Sequence, residues 1–135
     1  MISAEIAITA QFGDVDPMHV VWHGTYVRYL EEARSALMDI IGYNYIEMNE
    51  SGYAWPIVDL RLKYIKPIRL LQKVAISATI AEYENRLKID YVCRDFASRE
   101  ILTKASTVQV ALTATNFELC FECPEALTGR IRALL

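Results

Sequence analysis

Four residues able to do chemistry crowd into one short stretch. Asp14, Asp16, His19 and His23 stand in the run Phe-Gly-Asp-Val-Asp-Pro-Met-His-Val-Val-Trp-His-Gly, from Phe12 to Gly24. Cleaving an acyl bond needs a nucleophile or base, and donors aimed at the oxygen that becomes an anion. Asp14 or Asp16 is available for the first task. The N–H groups near His23 and Gly24 are available for the second, if a helix starts there. The first N–H groups of a helix have no intrahelical partner, and its positive dipole end favours negative charge. No Gly-x-Ser-x-Gly elbow and no obvious Cys–His pair competes for the role. A bland reading of the same residues also exists, because Asp-Pro commonly opens a turn.

The helix itself is read from periodicity. Val27, Leu30, Ala33/Arg34, Leu37 and Ile40/Ile41 recur every three or four residues, with Arg28, Glu31, Glu32, Ser35 and Asp39 largely between them. The spacing predicts a helix over about 23–41, stopped by Gly42. Tyr26 and Tyr29 are expected to pack, and Glu31 with Arg34 to pair weakly. A short helical turn is expected at 45–49.

Strands surround that helix. Residues 2–12 alternate around Ile6, Ile8, Ala10 and Phe12. Residues 55–66 alternate around Leu60, Leu62 and Tyr64 until Pro67 bends or ends the run. Further strands are expected over 73–83, 86–94 and 100–113, with turns at Glu84-Asn85 and 95–99. Residues 119–123 are read as a possible extension of the sheet, and Pro124 as the first position of a helix over 125–134. One strand, a long helix and then a run of strands is an α+β order rather than alternating βαβ.

Composition sets the outer bounds. The chain has 135 residues, 53% apolar and 23% charged, with net charge −3. That supports one packed domain over residues 1–135 and argues against disorder. No basic run of the nucleic-acid kind is present. No apolar stretch reaches the roughly 18 residues that a spanning helix needs. The first residues lack a basic n-region, so a cytoplasmic protein is expected. The three cysteines are an odd number, which does not suggest a disulfide framework. Cys120 and Cys123 have Cys-x-x-Cys spacing, but a zinc site needs about four ligands and no second pair exists. Inert cysteines are expected.

The motif-bearing stretch resembles the 4-hydroxybenzoyl-CoA thioesterase family of the hot-dog fold, and the related acyl-CoA thioesterases associated with the Tol–Pal gene cluster. The matching residues are Asp14-Val15-Asp16, Val20-Val21-Trp22-His23, Tyr26-Val27-Arg28-Tyr29-Leu30-Glu31 and Glu32-Ala33-Arg34. Tyr64-Ile65-Lys66-Pro67-Ile68 is similar to the family's Tyr-x-x-Pro bend. The resemblance extends over the chain in length and element order. It implies an antiparallel sheet of about five strands wrapped around one long helix. It places the catalytic carboxylate on Asp16 and the carbonyl-polarising helix-start N–H on His23. The family usually has Gly before its Val-Val pair, where this chain has His19.

These readings converge on a thioesterase acting on an acyl or aroyl thioester of coenzyme A or acyl carrier protein, with no metal or organic cofactor required. Asp16 attacks the carbonyl or deprotonates water, and His23 N–H holds the oxyanion. His19, Trp22, Trp55 and Ile57 are the expected substrate-side residues, with Tyr53 near them. Arg61, Lys63, Lys66, Arg69 and Lys73 are available for coenzyme A phosphates, none of them singled out. A homodimer or homotetramer is expected, because one helix and one sheet leave edges and a pocket wall unprovided. The alternative is a non-catalytic hot-dog module that binds acyl groups or serves assembly. A dehydratase of the same fold is disfavoured, because it normally uses a histidine within the helix.

Overall fold

The computed structural model describes residues 2–135. In chain order the elements are β1 (Ser3–Thr9), a 3₁₀ turn (Phe12–Asp14), α1 (His23–Ile41), α2 (Tyr45–Ser51), β2 (Tyr53–Ala54), β3 (Ile57–Tyr64), β4 (Lys73–Glu82), β5 (Leu87–Asp95), β6 (Ile101–Gln109), β7 (Leu112–Thr113) and α3 (Glu125–Arg132). Five strands form one sheet in the order β1-β4-β5-β6-β3, with every neighbouring pair antiparallel. β2 and β7 form a separate two-stranded ribbon.

α1 lies against β1 and β4. Its bounds are those the periodicity predicts, and Gly42 ends it at φ 78°. The Gly42 N–H donates to Asp39 and the Tyr43 N–H to Met38, a left-handed cap that glycine adopts without steric cost. The buried face differs from the expected stripe. Val27 is only half-buried, and Ile40 is 53% exposed. Tyr26, Tyr29, Leu30, Ala33, Leu37, Met38 and Ile41 form the seam instead. The broad tyrosine rings are buried with this face, and the Tyr29 hydroxyl donates to Asp14 in the turn before α1, so the seam is rotated slightly around the helix. On the sheet side Val74, Ile76, Ala78, Ile80, Leu87, Ile89, Tyr91 and Cys93 complete the core.

β3 departs from the expected inward apolar face. It bonds β6 along one edge only, and Leu60 and Tyr64 are 40% and 51% exposed. The reason is position: β3 is the edge strand farthest from β1 and β4, where α1 sits. Residues 119–123 do not extend the five-stranded sheet. The run after β6 bends where the Val110 N–H turns to the Pro56 carbonyl. The chain then reverses through a turn and touches β7 by a single bridge between Leu112 and Leu119. Pro124 is the cap of α3 rather than its first residue. The expected turn at 45–49 is the longer α2, begun by an Asn44–Glu47 capping box.

Candidate active site

The loop before α1 is built as a small hairpin. Val15 bridges Val21, and Val20 bridges Arg69. Inside it the Asp16 N–H donates to the Val20 carbonyl at 2.9 Å and the His19 N–H to the Asp16 carbonyl at 2.8 Å. The Val21 N–H reaches the Ile68 carbonyl at 2.8 Å, and the Leu70 N–H reaches the His19 carbonyl at 3.0 Å. These bonds sew the loop to the segment that follows the Tyr64–Pro67 bend. His19 sits at the reversal with φ 63°, the left-handed conformation in which glycine is usual. The histidine thus keeps the geometry a glycine would give.

Asp14 and Asp16 meet different fates in this loop. Asp14 is 5% exposed. Its Oδ2 accepts the Gln11 N–H and the Tyr29 hydroxyl, both at 2.9 Å, and its Oδ1 accepts the Arg28 guanidinium. Burial pushes this carboxyl up, but the donors from Gln11, Arg28 and Tyr29 together hold it below the usual carboxylate range. Asp16 is only partly buried. Its Oδ1 accepts the Met18 N–H at 2.8 Å, which fixes the side chain as an Asx turn. Among the described residues no donor engages its Oδ2.

α1 begins at His23 with Trp22 as cap, and the cap's side chain makes no hydrogen bond to the first turn. Among the described residues, the N–H groups of His23 and Gly24 have no protein acceptor. Gly24 is needed for packing: a Cβ there would stand 2.2–2.7 Å from the Trp22 indole, so the ring lies folded over the first turn. The Trp22 and His23 rings meet edge to face at 5.1 Å. A cavity of about 410 Å³ opens here, lined by Asp16, Val21, Trp22, His23 and Tyr26 on one side and Tyr64, Ile65, Lys66 and Pro67 on the other. Tyr26 and Tyr64 stack edge to face at 5.0 Å within it.

The structure therefore brings together Asp16, Trp22 and His23. It does not bring the other expected residues to this cavity within one chain. His19 lies exposed on the outer side of the loop. Trp55 is buried elsewhere, donating its indole N–H to the Tyr43 hydroxyl at 2.9 Å. Ile57 opens β3 and is 37% exposed on the free edge. The cavity walls include Lys66, one of the cations the sequence offers for coenzyme A phosphates, together with Tyr26 and the rest of Tyr64–Pro67, which the sequence marks only as packing and as a bend. Their signal was the Tyr-x-x-Pro pattern, which marks the turn but not what the turn encloses. The cysteines stand apart from this cavity: burial pushes the Cys93 thiol up to about 12 and the Cys123 thiol to about 11. Among the described residues no group of three or more His, Cys, Asp or Glu is arranged to hold a metal ion.

Comparison with known proteins gives a family and a set of structural relatives. A model of the thioesterase-like superfamily matches residues 10–126. A candidate acyl-CoA thioesterase of Bacillus subtilis is 26% identical over 112 residues, covering 82% of this chain and 80% of that protein. The crystal structure of a DHNA-CoA thioesterase from Staphylococcus aureus superposes with a TM-score of 0.85 at 25% identity, over 99% of this chain and 93% of that one. A 4-hydroxybenzoyl CoA thioesterase complexed with 4-hydroxybenzoyl CoA superposes at 0.83, over 96% of this chain and 99% of that one. At 18% identity the last likeness speaks to the fold alone.

Proposed function

The chain belongs to the thioesterase-like superfamily, whose hot-dog fold it has and among whose members are proteins named as thioesterases, and from that premise we propose that it cleaves an acyl or aroyl thioester of coenzyme A or acyl carrier protein with Asp16 and the start of α1. One observation carries this reading. The partly buried Asp16 and the helix-starting His23, whose N–H has no partner among the described residues, line one cavity whose remaining walls are largely aromatic and aliphatic.

The proposed chemistry follows from that placement. The thioester carbonyl lies with its oxygen toward the His23 N–H. That donor and the dipole of α1 stabilise the negative charge that develops on the oxygen. Asp16 acts through Oδ2, since Oδ1 is held by Met18. It either attacks the carbonyl carbon, giving a mixed anhydride that water opens, or takes a proton from the water that attacks. Both routes break the C–S bond, release the thiol and leave the carboxylic acid. Trp22 folds over the helix start and supplies an apolar wall beside the reacting carbon.

The site is completed by a second copy of the chain. β3 has an open edge carrying exposed Ile57, Val58, Leu60 and Tyr64. Two-fold antiparallel pairing of such edges sets the Ile57 end of one copy beside the Tyr64 end of the other. Ile57 and its neighbours at the start of β3 would then reach the cavity that they do not reach within their own chain, with the buried Trp55 supporting them from behind. His19, on the outer face of the same loop, would meet the substrate from the solvent side.

The test is a panel of short, long and aromatic acyl-CoAs and acyl carrier protein thioesters, with released thiol as the readout. Expected is hydrolysis of at least one of them that depends on Asp16. Tight binding of acyl-CoA with thiol release no faster than in buffer would make the protein a binding module instead.

A further inference from the structure

We propose that Asp14 is a positioning residue for the reaction, setting the distance between the Asp16 carboxylate and the His23 N–H by bonding both sides of the loop at once. The inference rests on the thioesterase reading above, and it assigns work to a residue that does not touch the cavity.

The case begins with cost. A carboxylate that is almost wholly buried loses most of its hydration, and a fold keeps one only when its lone pairs are filled. At Asp14 both oxygens are filled, and by donors from opposite directions. Gln11 lies before the loop, whereas Arg28 and Tyr29 belong to the second turn of α1. The backbone of the same residue repeats the pattern. Its N–H donates to the Gln11 carbonyl at 2.9 Å, and its carbonyl accepts the Trp22 N–H at 3.3 Å and the Thr25 hydroxyl at 3.0 Å. Trp22 immediately precedes His23, and Thr25 stands in the first turn. Asp14 is thus joined to the helix start on both sides of His23, and Val15 alone separates it from Asp16.

The remaining ties of the loop do not duplicate this link. The Val15–Val21 and Val20–Arg69 bridges and the Val21 bond to Ile68 hold the loop to itself and to the segment beyond Pro67. None of these bonds engages a residue of α1. Released from Asp14, the loop can shift along the helix axis while staying folded, and Asp16 shifts with it. A displacement of about 1 Å at a reacting group costs on the order of 10²-fold in rate. The electrostatics agree with a fixed, ionised anchor. Burial, with Asp14 beside it, pushes the Tyr29 hydroxyl above its usual range, so that it stays a donor, and the Asp14 carboxyl is held below its own.

Asp14→Asn keeps the size and the backbone carbonyl but turns one acceptor into an NH₂ group that faces a donor. Tyr29→Phe deletes a single donor. Both would be assayed with Asp16→Asn and the parent on the acyl-CoA hydrolysed best in the panel. Binding of the matching non-hydrolysable thioether would be measured alongside, well below the melting midpoint of each variant. Expected for Asp14→Asn is a fall in kcat of about 10- to 100-fold, with KM and thioether affinity within about three-fold of the parent. Tyr29→Phe should fall by a smaller factor in the same pattern. A merely structural role predicts otherwise, with kcat per folded molecule unchanged or substrate binding lost in parallel. Folded Asp14→Asn with kcat within about two-fold of the parent overturns the proposal. If that variant does not fold, Tyr29→Phe and Arg28→Gln decide, and parental kcat in both overturns it. An inactive Asp16→Asn beside an active Asp14→Asn removes only the positioning role, whereas an active Asp16→Asn removes the thioesterase reading and the positioning role together.

Discussion

The loop that enters α1 and the open edge of β3 solve opposite problems. In the loop the buried Asp14 side chain and the main chain at Asp14, Asp16, His19 and Val21 are bonded within the same chain. Asp14 is filled on both oxygens and the main chain is bridged to the 68–70 segment, while Asp16 Oδ2 and the N–H groups of His23 and Gly24 stand without a partner among the described residues. Along β3 the reverse holds: apolar side chains face solvent, and one line of backbone groups has no strand beside it. A surface of that kind on a single chain marks a contact still to be made. The difference teaches where each half of the proposed site comes from. The reacting groups are built by local bonding within one chain, and in the proposed site a neighbour's β3 edge adds to the Tyr64–Pro67 wall that the chain itself provides.

The comparison is broken most severely at its chemical end. Asp16→Asn is near-isosteric and keeps an acceptor for the Met18 N–H, so the loop should fold as before. It should lower kcat by roughly 10²-fold or more, as loss of a base or nucleophile does. Steady-state thiol release with a circular dichroism control checks this. Activity within a few-fold of the parent would remove Asp16 from the mechanism.

The edge is tested next. Ile57→Glu places a charge on the free end of β3, and it should lower activity by about ten-fold or more while driving the protein toward monomer. Mixing it with Asp16→Asn under subunit exchange should restore activity, because the mixed dimer holds one site with an intact Asp16 and an intact Ile57. Light scattering that shows a fully active monomer at assay concentration would end the shared-site idea.

A smaller effect separates the two regions by pH. The folded Asp14 carboxyl lies below its unfolded value of about 3.9. Its ionised form therefore contributes stability that is fully present above about pH 4 and is lost as pH falls through the folded value. Asp14→Asn should cost about 1–3 kcal/mol at neutral pH and flatten the decline of stability below about pH 4. Urea unfolding at pH 7 and pH 3 measures both. Substituting a β3 edge residue such as Val58 by Thr should leave that acid slope as it is. An acid slope in Asp14→Asn as steep as in the parent would assign it to other carboxyls.

How much of this was legible in the sequence divides along the same line. The helix over His23–Ile41 and its glycine stop follow from periodicity, and they place His23 at the helix start. The face of the helix does not follow so directly. Val27 and Ile40 fit a 3.6-residue stripe as well as Tyr26 and Tyr29 do, and only the position of the sheet chooses between them. The bonding of Asp14 was also hidden, because Arg28 and Tyr29 reach it only after the loop folds back on α1. The apolar run Trp55–Val58 divides in the structure. Tyr43 covers Trp55 within the chain, whereas Ile57 stays 37% exposed at the start of the edge strand. A single sequence cannot tell those two cases apart, since the difference lies in which strand becomes the edge.

His19 is where the smallest effect is expected, and it separates backbone geometry from side-chain chemistry. The residue stands at φ 63°, which costs a non-glycine residue roughly 1–2 kcal/mol. Glycine removes that strain but loses about 0.5–1 kcal/mol through the greater freedom of its unfolded chain. His19→Gly should therefore change stability by no more than about 1 kcal/mol. Its two loop bonds use the main chain only, the N–H to Asp16 and the carbonyl from Leu70, and glycine keeps both. Asp16 then stays where it was, so kcat should remain within a few-fold of the parent, and what changes is KM or the preferred acyl length. His19→Pro makes the opposite substitution. Proline fixes φ near −65° and has no N–H, so the reversal opens, the bond to the Asp16 carbonyl is lost, and kcat should fall toward that of Asp16→Asn. If His19→Gly loses kcat as deeply as His19→Pro, the imidazole itself takes part in the reaction, and the division between the loop's backbone and its side chains fails at this residue.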